Sequence, residues 1–102
     1  MTLPTVHYTH FREQRVLDYV NRLRKKYKIG PPLQRMPRGV PEDGSRCPIA
    51  TALKHKAYVE TELIVFMRDD DTAWDEVVEP AYVSKFINDF DAGKYPHLEK
   101  SE

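Results

Sequence analysis

The stretch AYVETELIVFM, residues 57–67, decides the fold class, because it is rich in the β-branched and aromatic residues that fit a pleated surface. The polar run RDDDT at 68–72 then predicts a turn, and AWDEVV at 73–78 can return as a second strand. Together these segments predict a two-stranded β-hairpin with a loop of about three to five residues.

The segment before this hairpin has helical spacing and predicts a long first helix from Thr9 to Lys28. Thr9 is the predicted N-cap, and Gly30, followed by two prolines, is expected to end the helix. Apolar residues three or four positions apart share one face of this helix, which is typical of an amphipathic helix packed on a core. They are Val16, Val20, Leu23 and Tyr27, with Leu17 widening the stripe.

A proline-rich segment, residues 30–46, lies between this helix and the next. It has no sustained period, and its spaced apolar residues favour an ordered loop that wraps the domain over a free tether. A short second helix is predicted over Cys47–Lys54, with Pro48 at its first position, where the missing N–H costs nothing. A third is predicted over Pro80–Asp91, with Gly93 as its C-cap.

These elements predict one α+β domain covering residues 1–102: a long N-terminal helix, a short second helix, a two-stranded hairpin and a C-terminal helix. Residues 1–8 and 99–102 are expected to fray. No apolar run is long enough for a membrane span, and the N-terminus lacks the layout of a signal peptide, so we expect no membrane contact and a cytoplasmic location. The single cysteine, Cys47, agrees with a reducing compartment.

The charges are divided unevenly along a chain whose net charge is zero. Residues 1–56 carry 12 basic and 4 acidic side chains, and residues 57–102 carry 4 basic and 12 acidic ones. Such a division indicates either a first half that faces nucleic acid or an acidic partner, or contacts that neutralise each other within the fold or between subunits.

The basic cluster at the end of the first helix continues into the loop and is the predicted nucleic-acid contact surface. Arg46, Lys54 and Lys56 carry further positive charge beyond it. Two helices followed by a hairpin also resemble the plan of winged helix-turn-helix proteins, although the link between these helices is far longer than that motif uses. The predicted contact residues are Arg22, Arg24, Lys25, Lys26, Lys28, Arg35 and Arg38.

Catalytic and metal chemistry is poorly supported by the residues. Cys47 could be a nucleophile activated by Arg46 and His55, but a small buried residue beginning a helix is the favoured interpretation. His7 with His10, and the run Asp69–Asp71, lack the spacing of a metal site. No glycine-rich phosphate loop, GxSxG turn or HExxH motif is present, so we expect no enzymatic activity, no cofactor and no metal.

Two stretches carry a resemblance: Arg38-Gly39 followed by CPIATAL at 47–53, and VSKFINDFDAGKYPHL at 83–98. They resemble small uncharacterised proteins of actinobacteria and their bacteriophages, which have an RG…CPIA.AL stretch and a VxxFxxxFDxGxYPxL tail. The resemblance implies a small phage-type accessory protein, located in the host cell cytoplasm if phage-encoded. It implies no catalytic or binding residue.

The sequence thus leaves two functions open. The first is a non-enzymatic protein that binds DNA or RNA through its basic first half. The second is a protein-interaction module that either self-associates, head to tail through its opposite charges, or docks onto a host protein. An isolated two-stranded hairpin is marginally stable, so a homodimer that extends the sheet is also plausible.

Overall fold

Over the residues that the structure describes, the chain forms a mixed α+β structure with three α-helices and one three-stranded antiparallel sheet. The computed structural model describes residues 4–60, 62–70 and 72–100, with side chains from Glu13 onward. The predicted α+β class is therefore confirmed, and the predicted two-stranded hairpin is wrong, because the sheet has three strands. In chain order the elements are α1 Pro4–Lys26, α2 Pro48–Ala52, β1 Ala57–Val59, β2 Leu63–Met67, β3 Ala73–Val78, α3 Ala81–Asp91 and a single 3₁₀ turn at Pro96–Leu98.

The third strand arises because the predicted first strand is divided in two. Val59 pairs with Ile64, and the N–H of Glu60 donates to the carbonyl of Leu63 at 2.8 Å, which closes a turn between β1 and β2. Polar residues interrupt the apolar run here, and Glu60 and Glu62 are both exposed. β3 has the predicted bounds and pairs only with β2, so the sheet order is β1-β2-β3.

Helix α1 begins at Pro4, five residues before the predicted start. Thr9 therefore lies inside the helix, and the prediction that it is the N-cap is wrong. Proline suits a first helical position because its N–H would be unpaired there in any case. Fraying was predicted for residues 1–8 and 99–102. Residues 1–3 and 101–102 lie outside the described residues, residues 4–8 belong to α1, and Lys100 donates its N–H to the carbonyl of Gly39 at 2.8 Å.

The core lies between α1, α3 and the inner face of the sheet. The predicted apolar stripe of α1 is buried, and Val83, Phe86 and Phe90 of α3 are buried with it. The inner face of the sheet contributes residues that alternate along the strands, as expected when one face is covered. They are Ala57, Val59, Ile64 and Phe66.

The tyrosine at the end of α1 joins that helix to the sheet. The Tyr27 ring stacks on Phe66 with a centroid distance of 4.0 Å, and its hydroxyl donates to Asp75 Oδ2 at 2.7 Å. Burial, and then the bond to Asp75, raise the pKa of Tyr27 to about 12. Trp74 packs against this tyrosine and remains 47% exposed.

The proline-rich loop is attached to the domain at several points. The Asn21 side chain both donates to the carbonyl of Leu33 and accepts from its N–H, at 3.0 and 2.8 Å. Met36 is buried, and the N–H of Gly39 donates to the carbonyl of Leu98 at 2.8 Å. The loop therefore brings its exposed arginines, Arg35 and Arg38, over a folded surface.

Candidate nucleic-acid interface

Helices α1 and α2 end in the same way, and both ends carry a lysine. At α1 the N–H of Lys28 donates to the carbonyl of Lys25 and that of Ile29 to the carbonyl of Arg24; at α2 Lys54 and His55 donate in the same pattern. This is the Schellman arrangement, in which the residue just past the helix adopts a left-handed conformation. Lys28 and Lys54 occupy that position, with φ of 55° and 57°.

Arg24 holds these two helix ends together. Its Nε donates to the carbonyl of Pro31 at 3.0 Å, and its Nη1 donates to the carbonyl of Ala52 in the last turn of α2. The side chain is only 4% exposed. Gly30 packs beside it: a Cβ there would lie 2.8 Å from Arg24 Nη2 and 3.5 Å from Lys54 Nζ. Arg24 therefore brings Lys54 against the turn that begins at Lys28.

The other predicted contact residues lie in several places. Arg22 faces α3, where it donates to the Tyr82 hydroxyl at 3.4 Å, and Lys26 lies beside Tyr27 and the acidic strand β3. Lys25, Arg35 and Arg38 are exposed, the first on α1 and the other two on the loop. The structure thus brings Lys54 against Gly30, in the turn that follows Lys28, and buries Arg24 between the two helix ends.

The outer face of the sheet forms an open groove that continues from Lys54. Its volume is about 710 Å³. The outer face includes Tyr58, Val65 and Met67. Along each strand these residues alternate with buried residues of the inner face, and Tyr58 pairs with Val65 across the strands. The rim next to α2 consists of three consecutive residues, Lys54, His55 and Lys56.

The positively charged side chains that line the groove lie at one end of it. The N–H of Met67 donates to the carbonyl of Lys56 at 2.9 Å, which places Arg68 at the same end as the α2 rim. Asp69 lies beside Arg68, while Glu60 lines the far end of β1. We call the exposed lysine and arginine side chains at this end of the groove and at the adjoining end of α1, together with the neighbouring His55, the basic surface: Lys28, Lys54, His55, Lys56 and Arg68.

His55 has a fixed orientation within this surface. Its Nδ1 lies 2.9 Å from the carbonyl oxygen of Ser45, which can only accept, so Nδ1 carries the proton and donates. The residue also has a left-handed backbone, with φ of 59°. Two consecutive non-glycine residues in this conformation, Lys54 and His55, are uncommon in proteins.

Sequence reasoning missed two residues of this region, Tyr58 and Arg68. The alternation of buried and exposed positions in β1 was the available signal for Tyr58, because Ala57 and Val59 flank it and face the core. No local pattern indicated Arg68, whose place depends on the antiparallel pairing of β1 with β2.

Much of the acidic half lies away from the groove, although Glu76 pairs with Val65 and therefore borders the outer face of the sheet. Asp75 accepts from Tyr27 and Glu76 is exposed on β3. Glu79 is buried: its Oε1 accepts from Ser84 Oγ at 2.7 Å, and its Oε2 has no hydrogen-bond partner among the described residues. Burial raises the pKa of Glu79 to about 7, the Ser84 bond opposes this rise, and repulsion from Glu62 adds to it.

Cys47 has a structural position. It is the N-cap of α2, where its Sγ accepts from the N–H of Ala50 at 3.4 Å, and it is 4% exposed. Burial raises the pKa of its thiol to about 11. Because the thiolate is the reactive form, this environment opposes the nucleophilic alternative.

Metal ligation was considered for the aspartates of the β2–β3 turn and for two histidines. Asp70 accepts from the N–H of Thr72 at 3.1 Å and from its hydroxyl, which is the pattern of an aspartate-stabilised turn. In the part of the chain that the structure describes, no three histidine, cysteine or carboxylate side chains are arranged to hold a metal ion. Asp71 and the side chains of His7 and His10 lie outside the described residues.

Comparison with models of known protein families, with curated proteins and with solved structures finds no match. None of the helices within the described ranges has the length and hydropathy needed to cross a membrane.

Proposed function

We propose that this protein binds nucleic acid through the basic surface. The observation that carries the proposal is the joining of two helix ends by the buried Arg24, which sets Lys54 against the turn that follows Lys28 and leads into the groove. Lysines on such a face can neutralise phosphates and release their counterions.

The backbone at these lysines supports the same proposal. Glycine is the residue best suited to a left-handed position at the end of a helix, because it has no Cβ. Lysine at both Lys28 and Lys54 keeps positive charge at positions where the backbone favours glycine. The helix dipole also favours lysine at these two positions, because it stabilises cations near a helix C-terminus.

Fluorescence anisotropy tests the proposal with labelled DNA and RNA of about 20 nucleotides, single-stranded and annealed to a complement. We expect binding at low salt, and log K should fall with log salt by about 0.7 for each phosphate contact with a single strand. No binding to any of the four probes at low salt would overturn the proposal.

A charge-matched pair of variants locates the surface. Lys54→Gln with Lys56→Gln should weaken binding and reduce the salt slope by about 1 to 2. The control, Lys85→Gln with Lys94→Gln, makes the same change in net charge on and after α3, where both lysines contact Asp89. Equal loss in both variants would show that net charge, and not this surface, drives binding.

The second candidate function is protein interaction, and the observation that favours it is the exposed edge of the sheet. β3 is an outer strand, Val78 is 76% exposed, and Asp75 and Glu76 make this edge acidic. It could contact the basic surface of a second copy, head to tail. Light scattering at about 50 mM and about 500 mM salt should then show an oligomer that dissociates as salt increases; a monomer at both salt concentrations contradicts it.

A further inference from the structure

We propose that the groove on the outer face of the sheet selects single-stranded over duplex nucleic acid by stacking an unpaired base on Tyr58. This inference rests on the proposed function and adds the class of nucleic acid that the protein recognises.

The floor of the groove is apolar and partly exposed. Tyr58 is 45% exposed and pairs across the strands with Val65, while Met67 and Ala73 continue the floor toward the β2–β3 turn. Such a surface is best covered by the flat face of a base. In a duplex those faces are stacked on each other and only base edges are accessible in the grooves, whereas a single strand can present them.

The Tyr58 ring is supported on one side by backbone. Two of its ring carbons lie 3.0 Å from where a Cβ on Gly44 would be, and the carbonyl of Gly44 accepts from the N–H of Val59 at 2.8 Å. The ring therefore rests on a segment that is itself bonded to β1. A ring held in place before binding loses less conformational freedom when a base stacks on it.

Charge determines on which side of the ring the phosphates would lie. Tyr58 separates the groove from a second depression of about 390 Å³, which is lined by Glu42, Asp43 and Asp91 together with Glu60. On the other side are Lys54, His55 and Lys56. The acidic depression repels a phosphate backbone, so a bound strand would follow the α2 rim and place a base over Tyr58.

The dimensions fit a single strand. The floor is formed by β1 and β2, with Ala73 of β3 at one end, and five residues of β2 give it a length of about 17 Å. One aromatic platform with a basic rim is the combination that binds single strands with little sequence preference.

The first test compares four labelled probes in fluorescence anisotropy at low salt: a single strand of about 20 nucleotides as DNA and as RNA, the DNA annealed to its complement, and a strand of the same length built from abasic sites. We expect both single strands to bind about tenfold more tightly than the duplex and the abasic strand. The abasic strand keeps the phosphates and lacks the bases, so it isolates stacking from charge.

Substitution at Tyr58 provides the second test. Tyr58→Leu keeps an apolar side chain and removes the ring, and should weaken single-strand binding about tenfold with an unchanged salt slope. Tyr58→Phe keeps the ring and should bind within about twofold of the wild type. A third measurement needs no variant to fold: adding single-stranded DNA to the wild-type protein should shift the Tyr58 ring protons upfield in NMR spectra.

The failure of this inference differs from that of the proposed function. Equal affinity for the single strand, the duplex and the abasic strand, with no ring shift at Tyr58, would overturn single-strand selection and leave nucleic-acid binding in place. Unchanged single-strand affinity in Tyr58→Leu would overturn the role of the ring. Binding to none of the probes would overturn both.

Discussion

The ends of the three helices have one backbone geometry but differ in the residue that adopts it. α3 ends at Gly93, with φ of 84°, and the N–H groups of Gly93 and Lys94 donate to the carbonyls of Phe90 and Asp89. α1 and α2 end in the same hydrogen-bond pattern at Lys28 and Lys54. A non-glycine residue in this conformation costs about 1 kcal/mol relative to glycine.

The surroundings of each helix end explain why glycine follows α3 and lysine follows α1 and α2. A Cβ at Gly93 would meet only Glu99 Oε2, at 4.0 Å, so nothing but the backbone conformation favours glycine there. The two lysine ends lie side by side over the buried Arg24 and continue into the groove. The comparison suggests that stability governs the end of α3, and that the placement of positive charge governs the ends of α1 and α2.

The largest effect should come from breaking the link between the two lysine ends. Arg24→Met removes the bonds to the carbonyls of Pro31 and Ala52 while keeping much of the buried side chain. We expect the free energy of unfolding to fall by about 3 kcal/mol, because charge-assisted bonds in a buried place are lost. Urea denaturation measures it. Lys25→Met, an exposed neighbour, should stay within about 0.5 kcal/mol of the wild type, and a similar loss in both would contradict the bridging role.

Glu79, just before α3, should have a smaller effect on the free energy of unfolding, and this effect depends on pH. Because the pKa of Glu79 is raised from 4.5 to about 7, the folded protein binds more protons than the unfolded one between these values. Stability should therefore fall as pH rises through this window, by at most about 3 kcal/mol from this group. Glu79→Gln should remove that slope and stabilise the protein at pH 8. Parallel stability profiles for Glu79→Gln and the wild type, measured by urea denaturation at several pH values, would contradict it.

The smallest effect is the most direct test of the comparison. Lys54→Gly should raise the free energy of unfolding by up to about 1 kcal/mol, because glycine relieves the left-handed backbone, and should at the same time weaken nucleic-acid binding. Gly93→Lys should lower stability by about 1 kcal/mol and leave binding unchanged. Thermal unfolding and anisotropy on both variants measure the two quantities. If Lys54→Gly loses stability as well as affinity, the lysine stabilises the helix end and the comparison fails.

Much of the fold could be predicted because it depends on local spacing. The apolar stripe of α1, the bounds of β3, Pro48 at the first position of α2 and the glycine after α3 are all properties of a few neighbouring residues. The division of residues 57–67 into two strands could not be predicted in the same way, since a run of strand-forming residues does not show where the chain turns back. The reversal of the chain between β1 and β2 is set by the pairing of Val59 with Ile64, which are brought together by the whole sheet.

The candidate site was predicted less completely, for a related reason. Arg24 and Lys25 are adjacent basic residues and look alike in the sequence, yet one is buried and the other exposed. The difference comes from the carbonyl of Ala52, 28 residues away, which the guanidinium reaches only when α1 and α2 pack together. Tyr58 likewise became a site residue only when β2 paired with β1 and placed Val65 and Met67 beside it.

The sequence by itself determined the α+β class, the amphipathic first helix, the prolines and glycine at the helix ends and the opposite charges of the two halves. These features follow from residue type and from spacing within one or two turns. The tertiary structure alone decided which cations share a surface, which arginine is buried to hold that surface together, and which aromatic ring faces the groove. Those outcomes depend on contacts between residues far apart in the chain, whose distances are fixed only when the core packs.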